Sequence, residues 1–179
     1  MEPKFTMQYG EYEVAVYLKK HLKHVSVFIP TSAQEKGIDL ILYKYNKSKH
    51  NILTVQVKMS RTYVEETQEK PYRLWFNRFN AYDNADWFIL VGIYCTNKNS
   101  LKARNTKWGT IMLAFKNKEM QKFLNSVKQK RDTSKQDKMF GFGFDDDRNI
   151  VLSRGSIKQK DMSKYLIENR ITEMMKEFE

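Results

Sequence analysis

The sequence has little cysteine, proline or glycine. Its 179 residues include one cysteine (Cys95), three prolines and seven glycines. A single cysteine excludes an intramolecular disulfide framework and a zinc site built from several cysteines, and it favours a reducing compartment. No internal repeat, linker or low-complexity segment interrupts the chain. The GxxxxGK[ST] phosphate-binding motif is missing, so ATP use is unsupported.

Long hydrophobic runs are also missing. No apolar stretch approaches the roughly 20 residues that span a bilayer, and the first residues, MEPKFTMQYGEYE, lack the hydrophobic region of a signal peptide. We therefore expect a cytoplasmic protein that is not inserted in a membrane. Because domains typically contain about 100–200 residues, we expect residues 1–179 to form one domain.

Acidic residues are the scarcer charge. The chain contains 32 Lys and Arg but 21 Asp and Glu, a net charge of +11. The segment 96–138 holds twelve of the basic residues and three acidic ones, and so carries nine of the eleven excess charges. Composition does not separate a nucleic acid from a membrane surface as the polyanionic partner. A solvated loop explains this basic segment as well as a nucleic-acid contact surface does.

Hydrophobic periodicity predicts a mixed α/β fold, with strands and helices around one sheet. The predicted elements are a helix over 10–24, strands over 25–29, 38–45, 52–59, 72–79, 86–95 and 108–115, a helix over 118–130, a hairpin over 139–152 and a helix over 161–178. Residues 60–70 have no clear period and are expected to form a loop or a short helix.

Four residues in the first 60 suit one chemical purpose. Glu11 falls on the apolar stripe of the first helix, where a carboxylate is out of place unless it is paired, capping or bound to a cation. Asp39 begins a strand, and Gln56 and Lys58 share one face of the next strand because side chains alternate with a period of two. Such a cluster offers hard oxygen ligands for Mg²⁺ and a cation for a phosphate oxygen, as phosphodiester hydrolysis requires.

The runs GEYEVAVYL, GIDLILY and VQVKMS resemble the core of the PD-(D/E)xK nuclease superfamily, which includes restriction enzymes and Holliday-junction resolvases. The resemblance covers residues 10–60. It implies a restriction-endonuclease-like core, a central mixed sheet flanked by helices, and a Mg²⁺-dependent DNA endonuclease, with Mn²⁺ as an alternative metal. It also implies that Asp39, Gln56, Glu11 and the backbone carbonyl of Val57 bind the metal, while Lys58 is catalytic.

Two residues depart from the family pattern. Ile38 stands where the motif has proline, and Gln56 stands where it has Asp or Glu, which removes one negative charge from the metal site. The Gln56 carbonyl is still an oxygen ligand, and Glu11 could supply the missing charge. Other family members with eroded motifs have lost catalysis, so a non-catalytic nucleic-acid-binding protein on the same fold stays open as an alternative.

Each of these residues also has an ordinary structural explanation. Asp39 after a glycine suits a turn cap, Glu11 suits the first turn of a helix, and Lys58 suits a solvated strand edge. The order, spacing and apolar flanks of the set favour the nuclease interpretation.

The expected partner is DNA, and the expected contacts to it lie outside the four-residue cluster. They are Ser60 and Arg61, just beyond Lys58, and Lys102, Arg104 and Lys107 in the basic segment. In the run YRLWFNRF (72–79), aromatic and cationic residues suit base stacking, although alternating strand burial explains them too. A junction resolvase shares the same cluster. A homodimer is an alternative to a monomer, because cutting two strands commonly uses two active sites.

Overall fold

A computed structural model describes residues 4–30, 36–47, 49–65, 67–95 and 108–179. These residues form nine strands and three α-helices, with strand the more abundant. The strands are β1 (Ser26–Phe28), β2 (Leu40–Asn46), β3 (Lys49–Val64), β4 (Tyr72–Asn77), β5 (Trp87–Cys95), β6 (Trp108–Lys116), β7 (Met139–Phe144), β8 (Ile150–Arg154) and β9 (Lys160–Asp161). The helices are α1 (Lys4–His21), α2 (Asn117–Ser126) and α3 (Ile171–Lys176).

Strand β3 belongs to two halves of one mixed sheet. Its first part pairs with β2 on one side and β5 on the other, and β1 and β6 extend this half outward. Its last three residues, from Thr62 to Val64, pair with β4, which leads on to β7, β8 and β9. Among the described strands β3 and β5 run parallel, and the other neighbours run antiparallel. The predicted mixed sheet is therefore confirmed.

Two hydrophobic clusters lie on opposite faces of the β2–β3–β5–β6 half, because side chains alternate along each strand. On one face, Val55, Val57 and Ile89 pack with residues of α1 and α3. On the other face, Phe88 and Leu90 pack against α2 and against the inward side chains of β4, β7 and β8. Helices thus lie on both faces of this half. The second half of the sheet covers the face on which α2 packs. No helix in the described ranges is long and apolar enough to cross a membrane.

The predicted helix over 10–24 is shifted toward the N-terminus. α1 ends at His21, and His24 adopts a left-handed backbone with φ of 60° that takes the chain toward β1. The prediction for residues 60–70 was wrong for its first half, because β3 continues to Val64. Hydrogen bonds from β4 and β5 hold this part of the chain extended although its own sequence has no strand period.

The predicted helix over 161–178 is replaced by β9, two short 3₁₀ turns (Ser163–Tyr165 and Ile167–Asn169) and α3. Leu166, between the two turns, has an extended backbone and pairs with Leu113 of β6. The apolar residues that predicted a helix are buried, including Met162, Tyr165 and Met174. The tertiary bridge to β6 therefore overrides the local helical period.

Arg170 connects α3 to α2. Its side chain is one-tenth exposed, and Nη2 lies 2.6 Å from Glu119 Oε2 while Nη1 lies 3.1 Å from Glu173 Oε2. The guanidinium also lies over the Trp87 ring, 5.1 Å from its centroid. Glu119 accepts a hydrogen bond from the Lys116 N–H at the start of α2. One cation therefore holds the C-terminal segment against the end of β6.

We predict that Arg170→Met destabilises the protein by about 2–3 kcal/mol, because it leaves Glu119 partly buried without its partner. Urea denaturation at neutral pH measures the change. Lys135→Met is the matched control. Its pair with Asp132 is exposed, so we expect a change within about 0.5 kcal/mol. Equal effects of the two substitutions would contradict the role of Arg170.

Candidate active site

Asp39 lies where β2 begins, at an edge of β3 that β2 does not cover. Its N–H donates to the Val55 carbonyl at 2.9 Å, and its Oδ2 accepts a hydrogen bond of 2.6 Å from the Val57 N–H. The N–H and C=O of one strand residue point to the same edge. The Val57 carbonyl, predicted as a metal ligand, is therefore directed toward the Asp39 side of β3.

Gln56 lies between Val55 and Val57, which pack toward α1, so its side chain is on the opposite face of β3. The last pair of the β2–β3 register is Leu40 with Val55, and one further step sets Asp39 opposite Gln56. The Gln56 side chain is 2% exposed, and its buried Oε1 has no hydrogen-bond partner among the described residues. A buried carbonyl oxygen without a donor costs free energy. A cation is a partner that would satisfy it.

Glu11 approaches the same edge from α1. The preceding residue, Gly10, packs so closely on β3 that a Cβ there would lie 2.9 Å from Met59 Cβ and 2.7 Å from Met59 Sδ. The lack of a side chain at Gly10 therefore lets the helix approach β3 beside Lys58. Glu11 is half-buried at this contact.

The electrostatics link Glu11, Asp39 and Lys58. Burial raises the pKa of the Asp39 carboxyl, while the Val57 hydrogen bond and the Lys58 charge oppose the increase. Burial also raises the pKa of Glu11, the negative charge of Asp39 raises it further, and Lys58 lowers it. Two carboxylates that repel each other beside one lysine make an environment that favours a bound cation.

Lys58 lines a cleft of about 510 Å³ between β3 and β4. Ser60, Tyr63, Trp75 and Arg78 line the same cleft. Its Nζ lies 5.9 Å from the centroid of the Phe79 ring. The ammonium is thus at the junction of the acidic edge and an open cleft, where a phosphate could contact it.

Ser60 and Arg61, which were both predicted to contact DNA, line different cavities in the structure. Ser60 lies in the cleft of Lys58, whereas Arg61 lines a different depression with Tyr9 and Trp108. The two consecutive residues point to opposite faces of β3 by strand alternation. Lys102, Arg104 and Lys107 lie outside the described residues.

Part of the basic segment has a structural role. Lys116 forms ion pairs with Glu173 and Glu177 at 3.1 and 2.6 Å, and Lys135 pairs with Asp132. Lys116 thus links the end of β6 to the C-terminal segment, whereas the Lys135 pair is local and exposed. The described part of the basic segment, residues 108–138, therefore contains both ion-paired lysines and lysines that face solvent.

Arg78 was not among the predicted site residues. It lines the same cleft as Lys58, and its Nη1 is buried without a hydrogen-bond partner in the described structure. The mixture of aromatic and cationic residues over 72–79 was the available sequence signal. Strand alternation explains part of that run, since Phe76 is buried in the core whereas Trp75 and Arg78 are partly exposed.

A metal site of three or more His, Cys, Asp or Glu side chains is not found in the described ranges. The predicted cluster contains two carboxylates, Glu11 and Asp39, and completes its oxygen set with the Gln56 amide and the Val57 backbone carbonyl. Hard oxygen donors of this kind suit Mg²⁺ or Mn²⁺ and do not suit a soft, thiolate-preferring metal.

Comparison with known proteins adds no relative from which a function could be transferred. No protein-family model, no curated protein and no solved structure matches the chain. The chemistry of the cluster is therefore argued from its own residues.

Proposed function

We propose that this protein is a metal-dependent DNA endonuclease with a restriction-endonuclease-like core. The observation that carries the proposal is the buried Gln56 Oε1, which accepts no hydrogen bond from any described residue, on the strand that also bears Lys58, together with the repulsion between Glu11 and Asp39 beside that lysine. Burying these groups without a cation is unfavourable. A divalent cation would satisfy the amide oxygen and neutralise the carboxylates together.

Asp39, Glu11, Gln56 and the Val57 carbonyl are the groups that would hold Mg²⁺, or Mn²⁺ in its place. When bound, such a metal lowers the pKa of water and offsets charge on the scissile phosphate. The Val57 N–H fixes one Asp39 oxygen at 2.6 Å, so that the other oxygen is available as a ligand.

Lys58 would perform the electrostatic part of the reaction. Its ammonium lies between the acidic edge and the cleft, so it can contact a nonbridging phosphate oxygen and stabilise the charge that develops there. Partial burial strengthens this interaction because the local dielectric is lower than that of water. The same charge also moderates the repulsion between Glu11 and Asp39.

The main rival is a non-catalytic nucleic-acid-binding protein on the same fold. Gln56 in place of an acid favours it, because the site then carries one charge less. Incubation of plasmid with Mg²⁺, Mn²⁺ or EDTA separates the two, since only the enzyme nicks the plasmid in a metal-dependent way. A junction resolvase would differ by preferring four-way junctions to linear duplex in gel shifts.

We predict that Lys58→Ala lowers metal-dependent plasmid cleavage by about 10²- to 10³-fold, because a charge that stabilises the transition state is removed. Circular dichroism should show an unchanged fold. Lys20→Ala, an exposed position on α1, is the control and should cleave normally. A Lys58→Ala protein that cleaves at the wild-type rate would overturn the assignment.

Metal binding should stabilise the protein more at high pH than at low pH. The raised pKa values of Glu11 and Asp39 mean that the folded protein retains protons which the unfolded chain has lost. These groups therefore reduce stability as the pH rises from the ordinary carboxyl pKa through the raised values. Since the cation binds the ionised form, we expect Mg²⁺ to raise Tm more at about pH 8 than at about pH 5.

Glu11→Gln tests the source of this effect. In EDTA at about pH 8 its Tm should equal or exceed that of the wild type, because the repulsion from Asp39 is removed. Its Tm increase with Mg²⁺ should be smaller than that of the wild type. Glu13→Gln on the same helix is the control and should keep the full increase. A wild-type protein without any Mg²⁺-dependent change in Tm would contradict the metal site.

Gln56→Glu restores the acid of the family motif. We expect tighter Mg²⁺ binding by isothermal titration calorimetry, because a third carboxylate joins the site. In EDTA we expect a lower Tm than that of the wild type, because a further buried negative charge has no partner. Unchanged or weaker Mg²⁺ binding by Gln56→Glu would place Gln56 outside the metal site.

A further inference from the structure

Two neighbouring cavities lie on the second half of the sheet. The cavity of about 510 Å³ beside Lys58 and a second of about 580 Å³ share Met139 as a lining residue. The second cavity extends to the loop after α2, where Lys130, Arg131 and Lys138 lie, and to Arg154. The Arg78 N–H donates to the Lys138 carbonyl at 2.8 Å and fixes the junction of the two. We call the whole the sheet cleft.

The floor of the sheet cleft is an aromatic surface. Tyr63 is 62% exposed. Trp75 lies flat across β7 because Gly141 has no side chain there, and a Cβ at Gly141 would lie 2.9 Å from the Trp75 ring. Arg154 lies over the Trp75 ring, 5.4 Å from its centroid. Two aromatic rings and a guanidinium group therefore line the sheet cleft.

The charge of the sheet cleft is strongly positive. Six of its lining residues are cationic and one is acidic; the cations are Lys58, Arg78, Lys130, Arg131, Lys138 and Arg154. The acid, Asp137, accepts two hydrogen bonds from Arg154 at 3.0 and 3.1 Å, so its charge is already neutralised. Lys130, Arg131 and Lys138 form no ion pair with any described residue.

We propose that the sheet cleft binds a single polynucleotide strand that leads into the candidate active site. Cations that follow the phosphate backbone, combined with aromatic rings on which bases stack, are the features of single-strand binding surfaces. In a duplex the faces of the bases are stacked on one another, so a duplex could contact the cations through its phosphates but could not stack on Tyr63 and Trp75. The preferred substrate is therefore DNA with an unpaired stretch. This refinement rests on the proposed endonuclease function.

Fluorescence anisotropy in EDTA tests strand binding without cleavage. The probes are a labelled oligodeoxynucleotide of about 15 nucleotides and the duplex of the same sequence. We expect the full chain to bind the single strand more tightly. Tyr63→Leu and Trp75→Leu should each weaken single-strand binding by about 5- to 100-fold, and Tyr63→Phe, which keeps the ring, should bind as the wild type does. Tyr63 is largely exposed, so its variants keep the test valid if Trp75→Leu fails to fold.

The contribution of the cations to strand binding is tested separately. The triple variant Lys130→Gln, Arg131→Gln, Lys138→Gln should reduce the slope of log affinity against log salt by about two units, as expected for three lost phosphate contacts on a single strand. Lys19→Gln, Lys20→Gln, Lys23→Gln removes the same charge from exposed positions on and just after α1 and should leave the slope unchanged.

The binding and cleavage results distinguish strand binding by the sheet cleft from the proposed endonuclease activity. Equal binding of duplex and single strand, or unchanged binding by Tyr63→Leu, overturns the sheet cleft as a strand site even if the protein cleaves DNA. Single-strand binding that follows these expectations without Mg²⁺-dependent cleavage supports the sheet cleft and overturns the endonuclease.

Discussion

The pairing of β3 with different partners along its length is the constraint on which the rest of the structure depends. Its first residues bind β2 and β5, and its last residues bind β4. Pairing with β2 ends at Val55 and pairing with β4 begins at Thr62, so β5 is the only described strand that pairs with β3 at Val57. The candidate active site lies at this part of β3, and the sheet cleft begins where β3 passes to β4. β3 therefore positions both the candidate active site and the sheet cleft.

The candidate site concentrates unfavourable interactions that the surrounding structure tolerates. No described residue donates a hydrogen bond to Gln56 Oε1, and the pKa values of Glu11 and Asp39 are raised by burial. The sheet holds Gln56, Asp39 and Lys58 in register, and the close contact of Gly10 with Met59 holds Glu11 near them. Groups kept in place against their own electrostatic preference are typical of sites that bind a ligand.

The positive charge of the chain has two uses in the structure. Arg170, Lys116 and Arg154 form ion pairs that hold the C-terminal segment, α2 and the floor of the sheet cleft. Lys130 and Lys138 line that cleft and form no ion pair within the described part of the chain. A net charge alone does not separate these uses, because ion pairing depends on which acids the fold brings near each cation.

The sequence by itself determined the strands, the shared face of Gln56 and Lys58, and the expectation that Asp39 would lie beside them, because strand alternation and a short turn fix these relations locally. It did not determine that Ser60 and Arg61 belong to the continuing β3, or that the segment around Leu166 is extended. Partners distant in sequence, β5 and Leu113, impose those conformations. Only the tertiary structure decided which of the described cations lack an ion pair and that Arg78 and Trp75 lie in one cleft with Lys58, since these relations depend on how separate segments of the chain pack against one another.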